Sequence, residues 1–259
     1  MTAERVAILV LLSVNGLCLW LLEPRVSAPA SPSPEGKRRL GANVVLTVLL
    51  LALNVAFDRV AAMAGIGPRG DALALPGASV LPGWTKVLAI VVVLDGLGYL
   101  AHLLLHKLPP AWRFHRVHHS DPRVDVTTAF RQHPFETLWR YSFTWVGAVA
   151  LGASSRSVAV YLALSALNAQ LEHADVTLPR RLEGVLRLVF TTPAMHRVHH
   201  SRAQVETDTN YSNIFSVWDR LFGTYRAPRT GERLSLGLDG YDSVGQQRTA
   251  GLLALPFGR

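Results

Sequence analysis

Long apolar stretches separated by short polar ones dominate the first half of the chain. Residues 6–22 carry no charge and end at Glu23-Pro24-Arg25, which does not look like a small-residue cleavage site. The run therefore reads as an uncleaved membrane helix, close to the minimum of about 20 residues needed to cross hydrocarbon. A loop rich in Pro, Ser and basic residues follows, closing on Lys37-Arg38-Arg39. A second apolar stretch covers 43–66, a Gly/Pro-rich connection covers Gly65 to Gly83, and a third apolar stretch runs from Trp84 to Leu108. The segment from Tyr141 to Asp175 is apolar but broken around Gly152–Ser157, so the pattern predicts a hairpin or re-entrant pair of helices. From Leu178 onwards polar and apolar residues mix, as in a helical cap with irregular connections. The Leu252–Phe257 run reads as a tail lying on the membrane surface. The expected fold is all-α: a polytopic membrane protein with about four transmembrane or re-entrant helical segments and a helical cytosolic cap. Its expected organisation is 1–83 as N-terminal helices and loops, 84–228 as the functional domain, and 229–259 as cap or tail.

Composition supports a membrane setting. Hydrophobic residues make up 49% of the 259-residue chain and charged residues only 17%, where about a quarter charged is usual for a soluble protein. The net charge of +8 comes from basic residues flanking apolar segments, with no nucleic-acid motif among them. Placing Lys37–Arg39 inside by the positive-inside rule also places Lys107, Arg113, Arg116, Arg123, Arg180, Arg181 and Arg187 inside. The polar chemistry then faces the cytoplasm, and the Ala/Arg-rich composition leans towards a bacterial inner membrane. The single cysteine, Cys18, excludes an intrachain disulfide and a cysteine-built iron–sulfur cluster.

All ten histidines fall between positions 102 and 200: His102 and His106, then His115, His118 and His119, then His133 and His173, then His196, His199 and His200. The block His-Arg-Val-His-His-Ser occurs twice, at 115–120 and at 196–201. On a helix, residues four apart are offset by about 40° and residues three apart by about 60° the other way, so each block spreads three imidazoles over an arc of about 100°. Such an arc can supply two neighbouring metals, and two similar blocks suggest two similar half-sites. Imidazole nitrogen suits iron, zinc, copper or nickel. Each neutral ring needs its other nitrogen tied to a carboxylate or carbonyl, for which Asp95, Glu136, Glu172, Asp175, Asp208 and Asp219 are candidates. Asp95, in the third apolar stretch, is costly if unpaired and is expected to bond a ligand histidine. His133 precedes Pro134, which suits a helix-start residue; a role as an outer partner or substrate contact stands beside ligation as the functional reading. Asn210 is a candidate neighbour of the metal region.

In order along the chain, Asp95-x3-Tyr99-x2-His102-x3-His106, Trp112–Ser120, His133-Pro-Phe-Glu136, His173, Thr192–Ser201, Asn210-Tyr211 and Trp218–Tyr225 resemble the fatty acid hydroxylase / sterol desaturase superfamily. The resemblance covers about half of the chain and marks 84–228 as a fatty acid hydroxylase-like catalytic domain. It implies two iron ions held by His102, His106, His115, His118, His119, His173, His196, His199 and His200; His133, Asp95, Glu136 and Asn210 are, from the reading of the residues themselves, outer partners or further ligands. It also implies hydroxylation or desaturation of a lipid with O2. Leu103 stands where many relatives have arginine. Zinc has no redox chemistry, so it would occupy such a site without supporting oxygenation. With no dinucleotide fingerprint and no iron–sulfur cluster of its own, the chain needs a separate electron donor: a ferredoxin, a rubredoxin, or a cytochrome b5-like protein with its reductase. The basic face at Arg113, Arg116, Arg123, Arg197 and Arg202 is a candidate docking surface for it. The competing readings are a metal-ion transporter, a metal-stabilised membrane scaffold and a zinc hydrolase.

Overall fold

A computed structural model describes residues 3–26, 34–65, 67, 82–228 and 234–258. Most of the Gly65–Gly83 connection, including Arg69 and Asp71, lies outside these residues, as do 27–33 of the first loop and the start of the 229–259 segment. Among the described residues, three helices are long and apolar enough to cross a membrane: α1 (Ala3–Val26), α2 (Pro34–Met63) and α3 (Gly83–Lys107). The interrupted segment forms the expected pair, α5 (Pro134–Ala150) and α6 (Ser155–His173). At 1.5 Å per residue they are about 25 and about 28 Å long, slightly shorter than a full crossing. Between α3 and α5 lie α4 (Pro109–His119) and a short 3-10 helix, Val126–Phe130. After α6 come α7 (Arg180–Leu186), α8 (Pro193–His199), α9 (Gln204–Thr207), α10 (Val217–Leu221) and α11 (Thr249–Ala254). Among the described residues there is no strand, only isolated bridges at Phe190–Phe215 and Ser201–Leu236.

Helix α3 is the centre of the bundle, packed on α4, α5 and α6, with α2 against α5 and α1 against α6. The α3–α5 crossing is close at Gly147. A Cβ there would lie 2.3 Å from Leu97 Cδ1 and 2.9 Å from Leu94 Cδ2, so a larger residue would force the helices apart. Tyr141 donates to Asp58 of α2 at 2.6 Å, and Trp139 Nε1 donates to the Ala101 carbonyl at 3.1 Å.

Two expectations need correction. Helix α2 begins at Pro34, well before residue 43, and takes in the basic triplet. Arg39 makes this possible. Its guanidinium is buried against Asp121, at 2.7 Å, and against Asp125, so the charge is paired and the helix runs on through it. The C-terminal run is not exposed over its whole length. Leu252 and Leu255 are buried against Ala42 and Leu46 of α2 and Val117 of α4, leaving Phe257 exposed. The tail closes the back of α4.

Glu23, near the end of α1, accepts from the backbone N–H groups of Val126 (2.7 Å) and Asp175 (3.0 Å). The last turns of α1, the first turns of α2 and the last turns of α3 therefore meet at one end of the bundle. That is the arrangement three successive crossings produce, and the histidines are gathered at this end.

Candidate metal centre

The two helices that carry the repeated block, α4 and α8, are short and firmly started. Proline occupies the first turn of α4 and of α8, where its missing N–H costs nothing. Thr192 also caps α8 through the Met195 N–H. Both helices end on their histidine blocks. Behind α4, buried Arg131 donates to the Val117 carbonyl (3.0 Å), Asn43 (3.0 Å), Ser120 (2.9 Å) and Gln247 (2.8 Å). Burial alone would raise the Asp121 carboxyl, but Arg39 and Arg131 outweigh it and hold the group below its ordinary value.

Nine histidines gather into two groups, in each of which one ring nitrogen per residue lies within 4.8 Å of all the others. The first group holds His102, His106, His115, His119 and His199; the second holds His118, His173, His196 and His200. Helix α4 gives its i, i+4 pair, His115 and His119, to the first group and His118 to the second. The second block does the converse, giving His196 and His200 to the second group and His199 to the first. The repeated block thus appears twice with its roles exchanged. The groups share a wall, where the His119 and His200 rings stack with centroids 4.6 Å apart.

The outer ring nitrogens show what the inner ones can do. His102 Nδ1 lies 2.8 Å from the Tyr211 carbonyl, His199 Nδ1 2.7 Å from the Thr209 carbonyl, and His173 Nδ1 2.7 Å from the Ala169 carbonyl. A carbonyl only accepts, so these Nδ1 atoms carry the proton and the Nε2 atoms carry lone pairs. Yet His102 Nε2 and His199 Nε2 are 3.1 Å apart. Two lone pairs at that distance repel unless a cation lies between them. The pattern continues from His102 to His115 (3.1 Å) and from His115 to His119 (3.1 Å). In the second group it runs from His118 to His173 (3.2 Å), His173 to His196 (3.0 Å) and His196 to His200 (3.1 Å). His106 Nε2 is buried with no hydrogen-bond partner. Nitrogen donors at right angles, about 2.1 Å from a shared ion, would stand about 3.0 Å apart, and tetrahedral ones about 3.4 Å. The observed spacings match the former. Burial holds His115, His118, His119, His196, His199 and His200 well below the ordinary histidine pKa. The rings are therefore neutral at pH 7, the form that binds metal. On donor type, spacing and protonation, both groups fit a transition-metal ion.

Of the four other site candidates, one touches a cluster. Glu136 Oε1 accepts from His115 Nδ1 (2.8 Å) and from Arg140 (2.9 Å). His133 stands outside both groups as the N-cap of α5, its Nδ1 accepting from the Phe135 N–H. Asp95 bonds no histidine. Its carboxylate accepts from the backbone of Ile214 (3.1 Å) and Phe215 (3.0 Å) and from Trp218 Nε1 (2.9 Å). The Asn210 side chain joins Met195 to Arg226, and the residue adopts a φ of 55°.

Sequence reasoning could not pair the carboxylates. Asp208 approaches His106 Nδ1 at 3.3 Å. Glu172 Oε1 stands 3.9 Å from His196 Nε2. Trp112 and Tyr211 belong to the motifs of the resemblance but carry no site role there; their rings pack on His106 at 4.9 and 5.0 Å between centroids. The carbonyl partners Tyr211, Thr209 and Ala169 act through the backbone and leave no residue-type signal. In the basic face, Arg116 holds Tyr241 and the Leu255 carbonyl, Arg197 holds Asp175, and Arg202 holds Asp239 and Asp242. Those three cations are already engaged within the chain.

The profile of the fatty acid hydroxylase family matches residues 87–224, over half of the chain and the stretch that carries every one of the nine clustered histidines. The chain belongs to this family. Among its relatives is the ornithine lipid hydroxylase OlsE of Rhizobium tropici, 35% identical over 176 residues, which cover 67% of this chain and 50% of that protein. The alkylglycerol monooxygenase of Homo sapiens is 32% identical over 155 residues, covering 60% of this chain and 33% of that protein. A cholesterol 25-hydroxylase-like protein of Danio rerio is 28% identical over 149 residues, covering 55% and 58%. The match therefore spans half or less of the first two relatives' length. No solved structure matches the chain.

Proposed function

We propose that this protein is a membrane oxidoreductase that hydroxylates or desaturates a lipid C–H bond with O2, using two iron ions held by the nine clustered histidines. The observation that carries this reading is the pair of convergent, buried ring-nitrogen sets at metal-ligand spacing, with facing lone pairs on His102 and His199 that a cation would satisfy. Bound iron would supply the redox chemistry for activating O2, which amino-acid side chains lack. His102, His106, His115, His119 and His199 would hold one ion, and His118, His173, His196 and His200 the other. The remaining chemistry belongs to the chain. The Tyr211 and Thr209 carbonyls and Glu136 fix protons on the Nδ1 atoms of His102, His199 and His115 and so keep each Nε2 free to bind. Tyr211 and Trp112 pack over the first group and keep water from it. Electrons come from a separate donor protein, since the chain has one cysteine and no dinucleotide fingerprint.

We infer that the site faces the cytoplasm. Arg39 supports this, because its pairing with Asp121 brings the basic start of α2 to the histidine end. The three relatives named above differ in the lipid their names specify, and a lipid C–H bond is the substrate they have in common.

The test is expression of wild type and His118→Ala in a membrane host, with lipids profiled by mass. Wild type alone should give a lipid that has gained one oxygen or lost two hydrogens. Metal uptake into vesicles, with no oxygen-dependent product from a panel of aminolipids, glyceryl ethers and sterols, would overturn the proposal in favour of transport.

A further inference from the structure

Asp95 sits in the middle of α3, twelve residues from Gly83 and twelve from Lys107. At 1.5 Å per residue it lies about 18 Å from either end of a helix crossing hydrocarbon about 30 Å thick. Whatever bonds to Asp95 is therefore at hydrocarbon depth. Its partners are Ile214, Phe215 and Trp218, all from the part of the sequence expected to form a soluble cap. The approach is close: a Cβ on Gly96 would lie 3.1 Å from the Trp218 ring. A second segment runs beside the first. Thr191 donates to the Ile214 carbonyl and Ser216 to the Val189 carbonyl, both at 3.0 Å, and Arg220 is turned in to the Arg187 carbonyl at 2.7 Å.

We propose that this strip, Arg187–Phe190 with Ile214–Phe222, is inserted in the bilayer leaflet on the histidine side, with its outer face against lipid acyl chains. Three features support this besides depth. Leu188, Val189, Phe190, Val217, Leu221 and Phe222 are each between 40% and 65% exposed, forming an apolar surface continuous with α3. Irregular backbone in hydrocarbon must have its polar groups paired. Here every N–H from Leu188 to Thr191 and from Ile214 to Ser216 bonds within the chain. Exposed Arg180 and Arg181 open α7, just ahead of the strip, where phosphate head groups would meet them. The inference rests on α3 crossing the membrane and not on the oxygenase reading.

The single native cysteine makes a direct test simple. In full-length Cys18→Ser protein, Leu188→Cys and Leu221→Cys are each spin-labelled and reconstituted in phosphatidylcholine/phosphatidylglycerol vesicles. Val48→Cys on α2 serves as the lipid reference and Asp239→Cys as the aqueous one. Accessibility to O2, which concentrates in acyl chains, is compared with accessibility to a water-soluble nickel chelate. Both strip labels should match Val48→Cys, with an O2-to-nickel ratio several-fold above that of Asp239→Cys. A ratio like that of Asp239→Cys overturns the proposal. So does exclusion of both reagents, which would mean a protein partner covers the face. Two independent positions keep the test decisive if one variant fails to fold, and no outcome depends on turnover.

Discussion

The two histidine groups use the same ligand type and the same repeated block, yet they are supported differently. In the five-histidine group, four rings have an acceptor near Nδ1: Tyr211 O for His102, Asp208 for His106, Glu136 for His115 and Thr209 O for His199. In the four-histidine group only His173 has one, while Nδ1 of His118, His196 and His200 is buried with no partner. Outer hydrogen bonds orient a metal-bound imidazole and raise its basicity. The five-histidine group is therefore the fixed member of the pair. The four-histidine group has one fewer histidine, three rings with no partner on Nδ1, and the Glu172 carboxylate close by.

This contrast is open to direct attack. The largest effect is expected from Glu136→Leu, which removes the acceptor from His115 without adding a polar group. Metal affinity of the five-histidine group should fall by about 10–100-fold. Glu136→Gln, which keeps an acceptor, should recover most of it. Chelator titration with metal analysis reads the result. In wild type the four-histidine group should release its ion first, and Glu136→Leu should narrow or reverse that order. Loss of both ions together in wild type would remove the distinction.

A smaller effect is expected from pH, and it should touch both groups. The buried histidines have folded-state pKa values below their unfolded value of about 6.5. Above that value neither state binds the proton and stability is flat. As pH falls below about 6.5 the unfolded state takes up protons that the folded rings refuse, so stability drops. Each ring kept neutral contributes up to about 1.4 kcal/mol per pH unit. Thermal melts of metal-free protein in detergent between pH 7.5 and 5.5 should show a steady fall, and a melting point independent of pH would contradict the neutral assignment. The smallest effect is expected from His133→Ala. It removes an N-cap, costing about 1 kcal/mol, and metal content should not change. A loss of metal would return His133 to the ligand set.

How far the sequence could be read follows from where each partner lies. The clustered histidines were legible because they repeat one residue type at helical spacing. The division of labour within each block was half legible: the arc predicted two destinations but not the exchange between α4 and α8, which depends on how the helices face each other. Asp95 was legible as a buried charge in need of partners and misread as to which. Two of its three partners are backbone N–H groups some 120 positions away, and a backbone donor has no residue identity to recognise; the third, Trp218, lies as far off along the chain. The early start of α2 was hidden for a related reason. Arg39 looks like the end of a loop until Asp121 is seen beside it.

That ion pair bears on how the chain can be recombined. The family match begins at residue 87, but Asp121, Asp125 and Arg131 find their partners on α2, at Arg39 and Asn43. The backbone of Val126 and Asp175 is held by Glu23 of α1. A chimera that grafted the matching segment onto a foreign pair of anchors would keep every histidine and strand a buried aspartate. The first two helices are thus part of the fold's inheritance: a transplant would have to carry an arginine and a glutamate at those two places along with the histidines.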